Sequence, residues 1–121
     1  MHRRGVVRAV QPELPVADLE RAMAFHRLLG FDVEAHEGGG YAFVTDRGRE
    51  VWHLRQVADL ADGGSRAGLY AHVKDPHALH DRFVALGASP TPVVVEPWGM
   101  REFSVTDPDG NRLRFGTNAP T

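Results

Sequence analysis

The sequence repeats itself. Val16, Asp18 and Gly30 recur as Val73, Asp75 and Gly87, each displaced by 57 positions. Val44-Thr45-Asp46 recurs as Val105-Thr106-Asp107, and Trp52-His53-Leu54 aligns with Leu113-Arg114-Phe115, both displaced by 61. Matches in the same order at two neighbouring shifts describe one unit used twice, so the chain must fold as two like halves. In each copy an extended run meets an Asp suited to cap a helix, and a glycine able to turn left-handed ends the helix. Asp18 opens the first helix, Leu19, Ala22, Met23, Ala24 and Leu29 give its apolar stripe, and Gly30 stops it. Asp75 opens the second, with Pro76 at the first helical position, Leu79, Phe83 and Leu86 as the stripe and Gly87 as the stop. An extended run at 6–16 precedes the first helix. Strand-like stretches follow at 31–34, 41–45 and 51–56, and again at 92–95, 102–106 and 112–116. Asp107-Pro108-Asp109-Gly110-Asn111 reads as a tight turn between the last two strands. The expected fold is α+β, with two βαβββ units at about 6–57 and 67–118 forming a curved, mostly antiparallel sheet. A linker at about 58–66 joins them within a single domain spanning 1–121.

Helices cover one face of such a sheet, and period-two alternation says which residues meet them. Leu14, Val16, Leu69, Ala71, Val73, Phe103, Val105, Leu113 and Phe115 fall on the helix side, as does Trp52. The opposite face carries Gln11, Glu13, Tyr41, Phe43, His53, Arg55, Tyr70, His72, Glu102, Ser104, Arg112 and Arg114. A solvated sheet could carry this polar and aromatic set. So could the wall of a ligand cavity, which two units curving toward each other would enclose on the face opposite the helices.

Composition narrows the function. The 121 residues carry a net charge of −2, and the only basic cluster, His2-Arg3-Arg4, reads as a solvated tail, so no nucleic-acid partner is expected. No apolar run reaches membrane-spanning length and none follows Met1-His2-Arg3-Arg4, so a cytoplasmic protein without a membrane partner is expected. There is no cysteine, hence no disulfide, thiol nucleophile or thiolate metal site. No phosphate-binding or dinucleotide fingerprint occurs, and Gly38-Gly39-Gly40 is a bend. Ser104 shares a face with Glu102 and is expected near His72, but no nucleophile-elbow pattern accompanies it. His77 and His80 lack a carboxylate companion at ligand spacing and read as a solvated helix face.

The motifs also resemble a known family. Glu13-Leu14-Pro15-Val16-Ala17-Asp18-Leu19-Glu20-Arg21-Ala22, with Phe25 and Leu29-Gly30-Phe31, is similar to the opening of the vicinal-oxygen-chelate superfamily, which includes glyoxalases, bleomycin-resistance proteins and extradiol dioxygenases. The Asp107–Asn111 turn resembles its closing turn. Pro97-Trp98-Gly99-Met100-Arg101-Glu102-Phe103, followed by that turn and Leu113-Arg114-Phe115-Gly116, looks most like the bleomycin-resistance branch. Metal-using relatives place ligands on the first and last strand of each unit, which here implies Gln11, His53, Gly68 and Arg114. Gly68 has no donor and Arg114 is a permanent cation, so neither a metal nor another cofactor is expected, although His72 and Glu13 could act as substitute donors. The resemblance implies that Trp98 borders the ligand groove, where an indole can stack a planar ring; ordinary packing ahead of a strand is the other reading. Arg55, Arg112 and Arg114 among the wall residues, partly balanced by Glu13, Glu34, Glu37 and Glu102, fit a neutral or anionic ligand better than a cationic glycopeptide. The function implied is a homodimeric protein that sequesters an antibiotic-like small molecule without transforming it. The alternative is a metal-dependent glyoxalase-type lyase, isomerase or dioxygenase.

Overall fold

A computed structural model describes residues 4–119; His2 and Arg3 of the basic N-terminal run lie outside the described residues. The elements run β1 (Glu13–Val16), α1 (Leu19–Leu28), β2 (Asp32–Ala35), β3 (Tyr41–Asp46), β4 (Arg49–Gln56), β5 (Gly68–His72), α2 (Pro76–Ala85), β6 (Val94–Val95), β7 (Met100–Thr106) and β8 (Arg112–Asn118). They form two four-stranded sheets, ordered β1-β4-β3-β2 and β5-β8-β7-β6. The first strand of each unit pairs in parallel with its last, and all other pairs are antiparallel. Two repeats of one α+β unit are therefore present, each with its own sheet.

The caps form as the residue types require. Asp18 accepts from the Arg21 N–H and Asp75 from the Ala78 N–H, while Gly30 and Gly87 take φ of +97° and +95° past the helix ends. Two details differ from the sequence reading. Ala24 is exposed, and the buried stripe of α1 runs Leu19, Ala22, Met23, His26. That is the strict i, i+3, i+4, i+7 row, and it carries an imidazole into the core. The extended run at 6–16 is a strand only from Glu13, because the backbone bond from the His53 N–H to the Pro12 carbonyl is the last link to β4, and Val6, Val7 and Val10 lie exposed.

One core serves both units. Phe83 of α2 packs edge-on against Phe103 and Phe115, and Trp52 of β4 packs edge-on against Phe31 and His26. His80 sets its ring against Phe103 at 5.5 Å, so it is not simply a solvated helix histidine.

The closing turn does more than reverse the chain. Asp107, Asp109 and Asn111 are buried. The Asn111 amide donates to the Pro15 carbonyl and to the Asp107 carboxylate, each at 2.8 Å, and its oxygen accepts from the Ser65 hydroxyl at 2.6 Å. The Asp109 carboxylate accepts from the Ala17 N–H and from Arg21, each at 2.9 Å. The end of the second unit is thereby fastened to the β1–α1 junction of the first and to the linker.

Candidate functional site

Strand register carries the candidate side chains to the sheet faces away from the helices. In the first unit Glu13, His53 and Phe43 lie in one row, and Tyr41 and Arg55 in the next. The Tyr41 hydroxyl donates to Glu13 at 3.0 Å and also meets Nδ1 of His53. His53 Nε2 meets the Glu50 carboxylate, and Arg55 donates to Glu13 at 3.2 Å. A neutral His53 that donates from Nε2 to Glu50 turns Nδ1 toward Tyr41 as an acceptor. The phenol proton then lies between two acceptors. Loss of water, followed by the hydrogen bond to Glu13, pushes the Tyr41 phenol above its ordinary value. Phe43 stands edge-on to both Tyr41 and His53 and completes an aromatic patch.

The second unit answers with the same pair in exchanged positions. Tyr70 stands on β5 where Glu13 stands on β1, and Glu102 stands on β7 where Tyr41 stands on β3. The Tyr70 hydroxyl donates to Glu102 at 3.4 Å. Arg114 donates from Nε at 3.0 Å and Nη2 at 2.7 Å to one oxygen of the same carboxylate. Glu102 is only 3% exposed, and that guanidinium is its ion-pair partner. The guanidinium carbon lies 5.2 Å from the Tyr70 ring centre and 6.0 Å from that of Trp98, the geometry of cation–π attraction. Trp98 is 61% exposed, far from a packed core residue, and His72 lies against Tyr70 at 5.2 Å. Burial and the Glu102 charge push the Tyr70 phenol above its ordinary value. Gly116 is required here, because a Cβ at that position would collide with the Tyr70 hydroxyl.

Ser104 apart, the residues singled out from sequence thus fall into two groups, one beside each sheet. Glu13, Tyr41, Phe43, His53 and Arg55 form one, with Gln11 at its margin through a 3.5 Å bond to the Glu50 carbonyl. Tyr70, His72, Trp98, Glu102 and Arg114 form the other, with Arg112 exposed one step along the face. No hydrogen bond, ion pair or ring contact joins the groups among the described residues. Ser104 is buried against Thr91 rather than beside His72. Sequence reasoning missed Glu50, which lies past a break in the β3–β4 register, between Val44 and Thr45, that simple alternation does not anticipate. Arg55 pairs with Glu13 and Arg114 with Glu102, two of the four carboxylates expected from sequence to balance the wall cations.

The four metal-ligand positions do not fit a divalent ion. Both nitrogens of His53 are engaged, and Arg114 is committed to Glu102. A Cβ at residue 68 would lie 2.6 Å from the Arg112 carbonyl, so no donor side chain can stand there without moving backbone. Among the described residues no three His, Asp or Glu side chains converge as a metal site needs.

A single chain leaves both faces open. A cleft of about 630 Å³ between the units includes Phe31, Trp52 and Phe83, and a second hollow of about 400 Å³ reaches Tyr70 and His72. Enclosing the faces opposite the helices requires a further layer. No helix among the described residues is long and apolar enough to cross a membrane.

Comparison with known proteins agrees with the fold. Residues 8–115 match the model of the Glyoxalase/Bleomycin resistance protein/Dioxygenase superfamily. A bleomycin-binding protein solved in complex with bleomycin superposes with a TM-score of 0.81 at 19% identity, covering 93% of this chain and 99% of that one. The bleomycin-binding protein of bleomycin-producing Streptomyces verticillus, solved with copper(II)-bleomycin, gives 0.73 at 25%, covering 96% and 100%. A glyoxalase-related enzyme from Clostridium phytofermentans gives 0.75 at 24%, covering 97% and 99%. No curated protein matches the chain.

Proposed function

The chain belongs to the glyoxalase, bleomycin-resistance and dioxygenase superfamily, and from that premise we propose that it is a binding protein that sequesters an antibiotic-like small molecule with a planar aromatic part, without transforming it. The observation that carries this reading is the open face of the second unit, where Trp98 stands exposed beside an Arg114 whose charge Glu102 already balances. A flat indole flanked by a fixed guanidinium presents a stacking surface with hydrogen-bonding edges. It is not the arrangement of a reacting centre. The donor set at His53 and Arg114 supports binding without a Lewis acid. The bleomycin complexes of two structural neighbours are consistent with this class of ligand. The ligand site is completed in a homodimer, with the first unit of one copy facing the second unit of the other.

The test is a thermal-shift screen of bleomycin and other planar antibiotics, followed by calorimetry and mass spectrometry of the recovered ligand. The expected result is saturable binding, unchanged ligand and substoichiometric divalent metal in protein purified without chelator. One tightly held zinc, nickel, manganese or iron per chain, lost on His53→Ala, overturns the reading. So does conversion of the ligand.

A further inference from the structure

The cleft between the units opens mainly on the helix side of the sheets and meets the second face at His72. Its floor is aromatic, formed by Phe31, Trp52 and Phe83. Trp52 is 4% exposed, and its indole N–H has no acceptor among the described residues. The two lips carry charge of opposite sense. The lip from the first unit holds Asp32 and Asp46 with Arg47, and that from the second holds Lys74 and Arg82 with Asp75. The Asp75 carboxylate is engaged in capping α2, at 3.1 Å from the Ala78 nitrogen. None of these six groups forms an ion pair among the described residues.

We propose that this cleft is a second binding site, for a small aromatic zwitterion of the aromatic amino-acid class. The ring lies on the Phe31–Trp52–Phe83 floor, the ammonium group faces Asp32 and Asp46, and the carboxylate faces Lys74 and Arg82. Charge complementarity selects this occupant. A simple anion would meet the two free carboxylates of the first lip, and a simple cation would meet the two cations of the second. A dipolar molecule satisfies both. The volume lies within the range of small-molecule sites and leaves room beyond a single phenyl ring. The inference does not depend on the sheet faces binding anything.

The sequence has two tryptophans, so Trp98→Phe leaves Trp52 as the sole indole and makes emission a reporter of the cleft. This variant is titrated with L-phenylalanine, 3-phenylpropionate, which lacks the ammonium, and phenethylamine, which lacks the carboxylate. The expected result is a saturable change in Trp52 emission with L-phenylalanine and at least about tenfold weaker response to either analogue. In the same background Arg82→Gln and, as a second variant of that lip, Lys74→Gln weaken L-phenylalanine and 3-phenylpropionate but spare phenethylamine. Asp46→Asn does the converse. Melting temperatures of the variants are read in parallel, and an unfolded variant is replaced by its lip partner. No saturable response to L-phenylalanine by about 10 mM overturns the proposal, as do analogues that bind equally well or lip variants without selective effect.

Discussion

Tyr70 can reach Glu102 only because residue 116 has no side chain. A Cβ there would meet the Tyr70 hydroxyl, and would lie 2.8 Å from the Glu102 Cβ and 2.9 Å from the Arg101 carbonyl. Gly116→Ala must displace either the phenol or the strand. The expected cost is about 1–3 kcal/mol, typical of overpacking, read as a lower urea midpoint, together with weaker ligand binding as Tyr70 leaves the face. Trp98 is the opposite case, since its exposed ring holds little of the fold. Trp98→Ala is expected to leave the urea midpoint within about 0.5 kcal/mol. It should weaken a planar ligand by about a few-fold to tenfold. A variant that binds as well as the parent sinks the placement of the ligand on this face. Alternation was enough to read Glu13, Tyr41, His53, Tyr70 and Arg114 onto one side of their strands, because side chains in a strand have a strict period of two. It could not show that Glu102 is buried or that Arg114 is committed to it. That depends on which residues of β7 and β8 stand opposite each other.

At the scale of elements, α1 and the closing turn hold the two least obvious features. His26 occupies a buried position of the α1 stripe, at 0% exposure, with Nδ1 bonded to the Ala22 carbonyl and Nε2 without a partner. Burial holds its pKa below the ordinary 6.5, against the smaller upward pull of the Ala22 carbonyl. The unfolded chain therefore takes up a proton near pH 6.5 that the folded chain refuses. Stability from this group is fully present above that pH and declines below it, by up to about 1.4 kcal/mol per pH unit. The decline flattens once the pH passes the lowered native value. Urea unfolding between pH 7.5 and 5 checks this, and His26→Leu is expected to lose that part of the slope. A parent slope that survives the substitution intact assigns it elsewhere. In the closing turn, Asn111→Ala strands the Pro15 carbonyl, the Ser65 hydroxyl and one bond of the Asp107 carboxylate. Unsatisfied buried groups cost about 1–3 kcal/mol each when little relaxes, so a loss of about 3 kcal/mol or more is expected in the urea midpoint. A surface turn would lose almost nothing. The sequence identified both the turn and the helix. It did not reveal the clasp, whose partners at Pro15 and Ala17 lie more than ninety residues away in the chain, in contacts that no local pattern encodes.

The whole molecule has two open faces, the first acidic and the second balanced in charge, and their need for cover is the basis for expecting a dimer. The first face carries Glu13, Glu34 and Glu50 against Arg55, with Glu34 placed there by its pairing with Phe43. The second carries Arg112 and Arg114 against Glu102 and Glu96, whose charge is felt at Tyr70. Two copies related by a two-fold axis can set the first face of each against the second face of the other, giving two equivalent sites. Apolar groups left exposed in one chain, among them Val6, Val7, Val10, Val94 and Val95, are then available for cover. The duplicated pattern in the sequence located both faces, but a single chain leaves the expected cavity open, and no pattern within one chain says what covers it. Sedimentation at micromolar concentration should therefore show twice the mass of one chain. An interface of about 1,600 Å² would suffice for a stable pair. Because the faces attract partly through exposed charges, dissociation should rise with added salt, and the double charge reversal Glu13→Arg with Arg112→Glu should restore part of what either reversal alone removes. Calorimetry of the dimer with a ligand from the screen should then give two sites per pair. A stable monomer that still binds one ligand per chain with full affinity sinks the shared site and leaves each face to act alone.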